Sequence, residues 1–178
     1  MKISLGRPIE EYSKVQLIAG HVIRNRKWQL KNLNSNKEYL NVGCGPNFDN
    51  KFINLDYEWR PGLDLCWDIT KGIPLKSQSI KGIYTEHCLE HINFDKAQAV
   101  LLEFNRILKL GGIVRVIVPD AELYINLYIR SKNGESVSFP YITEKDIHDG
   151  FSPIMSVNRV FRDHGIFMPM ILIVCRYC

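Results

Sequence analysis

Along this chain, short apolar runs alternate with stretches whose apolar residues recur at helical spacing. The run in EYLNV predicts a first strand over Glu38–Val42, and FINL a second over Phe52–Leu55. LDLC predicts a short third over Leu63–Cys66, and IKGIYT a fourth over Ile80–Thr85. IVRVIV, dense in β-branched residues, predicts the fifth over Ile113–Val118. Between the last two, Ala97, Val100, Leu101, Phe104, Ile107 and Leu108 form one stripe. They predict a helix over Phe94–Leu110, stopped by Gly111. Near the beginning, Pro8, Glu10 and Glu11 mark a helix start, and Tyr12, Val15, Ile18, Ala19 and Val22 continue it. Strand, helix and strand in this order predict a parallel α/β sheet with a right-handed crossover.

The first connections are unusually short. Beyond Gly43–Gly45, only six residues, Pro46–Lys51, lead to the second strand, too few for a crossover helix. Fully extended, such a link reaches about 20 Å, and a four- or five-residue strand spans about 15 Å. A bare loop therefore suffices to start a parallel neighbour, and residues 57–62 make an equally tight second link. One face of the sheet then lacks its usual helix, which leaves the N-terminal helix to cover it.

Composition narrows the class. At 178 residues the chain fits one domain. Residues 1–37 supply the N-terminal helix and a loop, 38–120 the core, and 121–178 the remainder. A hydrophobic share of 46% with 24% charged residues is that of a soluble globular protein. The net charge of +4 does not call for nucleic acid as a partner. Arg24, Arg26, Lys27 and Lys31 read as a basic helix end that complements the dipole. No segment has the length of a membrane span, and MKISLGRPIEEY lacks the apolar core of a secretory signal. Five scattered cysteines do not form a disulfide framework, so the expected compartment is the cytoplasm. The pair in CRYC stands without a second one, and His87 with His91 lacks a third ligand, so no metal is expected.

The candidate chemistry lies at the strand ends. In GCGPN, Gly43 and Gly45 let main chain approach a ligand, and Asn47 is placed to adopt a left-handed conformation. Phe48 stands where a dinucleotide fingerprint needs its third glycine, and no long helix follows, so the expected ligand carries no phosphate. Asp56 ends the second strand, placed to accept from ribose hydroxyls. Asp68 followed by Ile69 suits an adenine, the carboxylate taking the amine and the aliphatic chain packing the ring. After the fourth strand, TEHCLEHI offers His87 first and Glu86 second as a base. Asp120, His148 and Asp149 lie further on, and Asp120 is equally placed to cap a helix beginning at Ala121.

In order, VGCG, LD with Asp56, DIT with Asp68, TEHCLEHI and LLEFNRILKLGGIVRVIVP resemble the class I S-adenosylmethionine-dependent methyltransferases over roughly residues 39–120. The chain looks most like a group of small predicted bacterial methyltransferases often linked to surface-polysaccharide synthesis, whose loop and short crossover read GCGPN…INLD. The resemblance implies a Rossmann-like open parallel sheet flanked by helices, with reduced first crossovers. It implies S-adenosylmethionine as cofactor, held by Asn41, Gly43, Cys44, Gly45, Asn47, Asp56, Asp68 and Ile69. His87 and Glu86 would then face the methyl-transfer site, with a small-molecule or glycan-type acceptor. Asn41 stands where many relatives carry an acid, and Leu110 replaces a usual proline. The family's sheet adds two strands after the fifth, whereas here 60 residues follow Val118 and the tail GIFMPMILIVCRYC turns apolar. The expectation is a truncated, incomplete C-terminal end. Its counterpart is a non-catalytic remnant that keeps weak cofactor binding.

Overall fold

In the computed structural model of the chain, the described residues are 13–34, 36–140, 142, 150 and 152–162. The five strands of the sequence reading all form: β1 (Tyr39–Val42), β2 (Phe52–Asp56), β3 (Leu65–Cys66), β4 (Ile80–Glu86) and β5 (Leu108–Ile117). They pair in parallel throughout, in the order β3-β2-β1-β4-β5. Helices flank this sheet, giving an α/β fold of Rossmann-like kind. The chain runs outward from β1 through β2 to β3, then returns to lay β4 on the other side of β1. The order thus reverses between β1 and β4, and the ends of those strands border the crevice where open α/β sheets take ligands.

The pleat decides which residues meet. Leu40, Val42, Ile53, Leu55 and Ile83 share one face, and Val100, Phe104 and Ile107 of α2 (Phe94–Ile107) complete their cluster. Side chains on α2 also hold the link before β4. Glu103 accepts from the Ile73 amide at 2.8 Å, and Arg106 donates to the carbonyls of Ile73 and Leu75. The opposite face carries Tyr39, Phe52, Tyr84, Ile113 and Arg115, and Ile113 there is 69% exposed. The tight links between β1, β2 and β3 contain no helix that could cover it.

Two element boundaries depart from expectation. The α2 helix ends at Ile107, and β5 already begins at Leu108, which pairs with Ile80. Three residues then loop out before Gly82 meets Ile113, and Gly111 sits in this bulge at φ +77°. Gly111 is therefore a bulge residue, because strand pairing claims Leu108 before the helix can extend to it. At the beginning, α1 spans Lys14–Ile23, capped by Ser13 and Gln16 bonding reciprocally. Pro8, Glu10, Glu11 and Tyr12 lie outside the described residues.

The α1 helix does not lay its apolar stripe on the sheet, since Val15, Ile18 and Val22 are exposed. It packs instead through Gly20, where an added Cβ would come 3.1 Å from Glu58 Oε2. Arg24 follows, stacked over the Tyr57 ring, donating to the Tyr57 carbonyl and paired with Glu58. Arg26 donates to the Val22 carbonyl, so these two basic residues serve the helix end. Gln29 is buried beside β3: its Oε1 accepts from the Cys66 amide and its Nε2 donates to the Cys66 carbonyl. The side-chain amide thereby closes the sheet edge as another strand would.

Contacts divide the described chain after Val118. The second unit holds α3 (Ala121–Lys132) and α4 (Pro153–Arg162), which pack on each other. Asp120 accepts from the Leu123 amide at 3.2 Å, so it caps α3. His148, Asp149 and the tail from residue 163, with its CRYC, lie outside the described residues. Among the described residues no helix is long and apolar enough to cross a membrane.

Candidate functional site

The site begins where β1 stops. The amides of Gly43 and Cys44 both donate to the Leu55 carbonyl, at 2.8 and 3.2 Å, so the chain turns sharply over the end of β2. Gly43 and Gly45 have φ of +68° and +54°, a region that side chains disfavour. At Gly43 there is also no room, since a Cβ would lie 2.6 Å from both Cβ and Sγ of Cys88. The loops after β1 and β4 thus touch at the crevice, as their neighbouring strands require.

Asp56 ends β2 under this loop. Its Oδ2 accepts from the Gly45 amide at 2.7 Å and its Oδ1 from the Glu58 amide at 2.9 Å. A carboxylate has about four acceptor positions. Two main-chain donors fix its orientation and leave lone pairs for further donors. Beside it, burial pushes the Glu58 carboxyl above its ordinary value, and Arg24 opposes that shift. Asn41 donates to the Asn47 carbonyl at 3.1 Å, and the Asn47 amide donates to the Cys44 carbonyl. Asn47 is not left-handed, because this turn closes without a reversal there. The Cys44 side chain is buried, with its thiol pushed up by desolvation and by Asp56. Both its main-chain groups bond within the structure, so Cys44 builds the cradle.

The Asp68 turn stands at the next strand end. Asp68 Oδ1 accepts from the amide and hydroxyl of Thr70, at 3.1 and 2.6 Å, while Oδ2 lies 3.7 Å from Lys71 Nζ. The Asp68 amide donates to Asn25 Oδ1 at 2.8 Å, and the Asn25 amide donates to the Cys66 carbonyl. Ile69 is buried in the core cluster, with 7% of its surface exposed. The Trp67 amide donates to the Asp56 carbonyl at 2.8 Å, which couples this turn to Asp56.

Across the crevice, His87 follows β4 at φ +48°, its amide bonded to the Ile117 carbonyl at 3.0 Å. Its Nδ1 lies 3.2 Å from Glu90 Oε1. Glu86 Oε2 accepts from the Tyr84 hydroxyl at 2.6 Å, a bond that pushes the Tyr84 pKa up. His91 closes a short 3₁₀ turn at Leu89–His91, so it shares no α-helical face with His87. Among the described residues no three His, Cys, Asp or Glu side chains gather as a metal site.

Direct contacts thus unite Asn41, Gly43, Cys44, Gly45, Asn47 and Asp56, and bring the His87–Cys88 segment against Gly43. Asp120 belongs to the other unit. Sequence reasoning passed over Asn25, Gln29 and Glu90. Asn25 had a readable signal, since asparagine just past a helix end is a common left-handed residue and here has φ +64°. The partners of Gln29 and Glu90 have no local signature. No protein-family model matches the chain, and no curated protein matches it.

Proposed function

We propose that the chain is a class I S-adenosylmethionine-dependent methyltransferase acting on a small-molecule or glycan-type acceptor in the cytoplasm. The observation that carries this reading is the Asp56 carboxylate, held at 2.7 Å by the Gly45 amide beneath a left-handed glycine loop. That loop follows β1, which borders the point where the sheet order reverses. The residues fit the cofactor. Gly43 and Gly45 take φ values that side chains disfavour and so bare their main chain, and Asp56 retains acceptor positions for ribose hydroxyls. Asp68 Oδ2, which accepts no hydrogen bond from Thr70, would take an exocyclic amine, with the buried Ile69 next to it as the apolar neighbour. No helix separates β1 from β2, so the loop offers no helix dipole to a phosphate. That favours a nucleoside without a pyrophosphate over a dinucleotide.

When bound, S-adenosylmethionine supplies a methyl group on a sulfonium sulfur, which departs as a neutral thioether. The protein's own part is orientation and proton handling, and alignment alone supplies up to about 7–11 kcal/mol in the best intramolecular cases. His87 is the base of this site.

Calorimetric titration with S-adenosylmethionine and with its demethylated product tests the reading. Losing a hydrogen bond to a charged group costs about 1.5–3 kcal/mol, so Asp56→Ala is expected to bind roughly ten- to a hundredfold more weakly. Equal affinity in wild type and variant removes Asp56 from the ribose role, and absence of binding by the wild type removes the methyltransferase reading. Binding without transfer to any acceptor leaves a cofactor-binding remnant.

A further inference from the structure

We infer that Glu90 is a positioning residue that fixes the His87 tautomer, so that Nε2 is the atom that takes the acceptor's proton. This deepens the methyltransferase reading and rests on it for the identity of the acceptor step. The tautomer assignment itself needs neither cofactor nor acceptor.

Three observations support the inference. The first is the 3.2 Å contact between His87 Nδ1 and Glu90 Oε1. An ionised carboxylate only accepts, so the shared proton resides on Nδ1 of the neutral ring. Nε2 is then left with its lone pair. The second is that the backbone holds His87 for this contact. Its φ of +48° is one that non-glycine residues rarely adopt, and its amide is pinned to the Ile117 carbonyl. The 3₁₀ turn at Leu89–His91 brings Glu90 back over the ring, which an extended chain would not do. The third is the contrast in exposure. The Glu90 side chain is 14% exposed and the His87 side chain 36%, which suits an inner anchor and an outer reacting group.

Glu86 is the less suited base of the two sequence candidates, because its Oε2 already accepts from the Tyr84 hydroxyl. In the proton step the acceptor's O–H or N–H bond breaks and its electron pair stays on the acceptor atom. The proton forms an Nε2–H bond. The imidazolium so created lies against the Glu90 carboxylate, which stabilises its charge. The proton then passes to water from the exposed ring. The acceptor atom's pair forms the new bond to carbon, and sulfur keeps the pair of the bond that breaks.

The test is the ring-nitrogen spectrum of His87 in the full-length ¹⁵N-labelled chain, recorded at a pH where the ring is neutral. The expected result is an Nδ1–H, Nε2-lone-pair signature, the reverse of the Nε2–H form that predominates in free histidine. Glu90→Gln keeps a carbonyl acceptor and is expected to retain this signature. Glu90→Ala is expected to shift it to the Nε2–H form, with the remaining amide spectrum unchanged. An Nε2–H wild type, or a signature that survives Glu90→Ala, overturns the proposal. The wild-type spectrum alone decides should the alanine variant not fold. Failure of the cofactor titration leaves this readout untouched, so the two ideas fail separately.

Discussion

At the scale of single residues, Gly43 leaves no room for a side chain. Two independent obstacles meet there: a left-handed φ of +68° and Cys88 atoms 2.6 Å from any added Cβ. Gly43→Ala is expected to lower unfolding stability by about 2–4 kcal/mol, read from urea denaturation. Because Cys88 supplies the steric part alone, Cys88→Gly is expected to shrink that loss by about 1 kcal/mol or more in a double-mutant cycle. Strict additivity would show that the loops after β1 and β4 do not press together. The glycines and Asp56 were legible beforehand, because their chemistry is local: φ freedom and a strand-end carboxylate. Asn47 was not, since its conformation follows from the bond of Asn41 to its carbonyl.

Among elements, β3 depends on a side chain distant in sequence. Two residues long and at the sheet edge, it has its Cys66 amide satisfied by Gln29, which is 6% exposed, and its Cys66 carbonyl shared between Gln29 and the Asn25 amide. Gln29→Ala leaves the Cys66 amide buried without its acceptor, while the Cys66 carbonyl keeps the Asn25 amide, and is expected to cost about 1–3 kcal/mol in urea denaturation. A loss below about 0.5 kcal/mol would show that the edge needs no such closure. Strand existence was readable for all five strands because runs of β-branched and apolar residues bounded by turn residues report pairing surfaces. Boundaries followed tertiary pairing. Leu108 belongs to β5 because Ile80 bonds it, and Gly111 serves a bulge for the same reason.

For the whole molecule, charge sets the response to acid. Hydrogen bonds from Lys109 and then Lys81 hold the Glu38 carboxyl below its ordinary value, and Arg106 does the same for Glu103. A depressed folded-state pKa gives stability that is present above the unfolded value and lost as pH falls through the folded one. Glu58 has the opposite sign: burial raises it, so protonation relieves a cost. The expected profile is a urea midpoint that holds or rises slightly as pH approaches 4.5, the ordinary value of these carboxyls, and then falls. Glu103→Gln is expected to flatten the fall, and added salt to weaken it, because these pairs are largely solvent-facing. A midpoint constant from pH 6 to about 3 would contradict this.

The sequence by itself determined the α/β class, the run of five strands, the core stripe of α2 and the placing of Gly43, Gly45 and Asp56 at strand ends. These follow from periodicity and from the conformational limits of single residues, which neighbours in the chain already reveal. Only the tertiary structure decided that α1 docks through Gly20 and Arg24 with its apolar stripe exposed, that Gln29 closes the sheet edge and that Glu90 meets His87. Those outcomes depend on pairing between segments or on a turn's geometry. A side chain's partner is set by where the backbone carries it, and one-dimensional spacing does not encode that path.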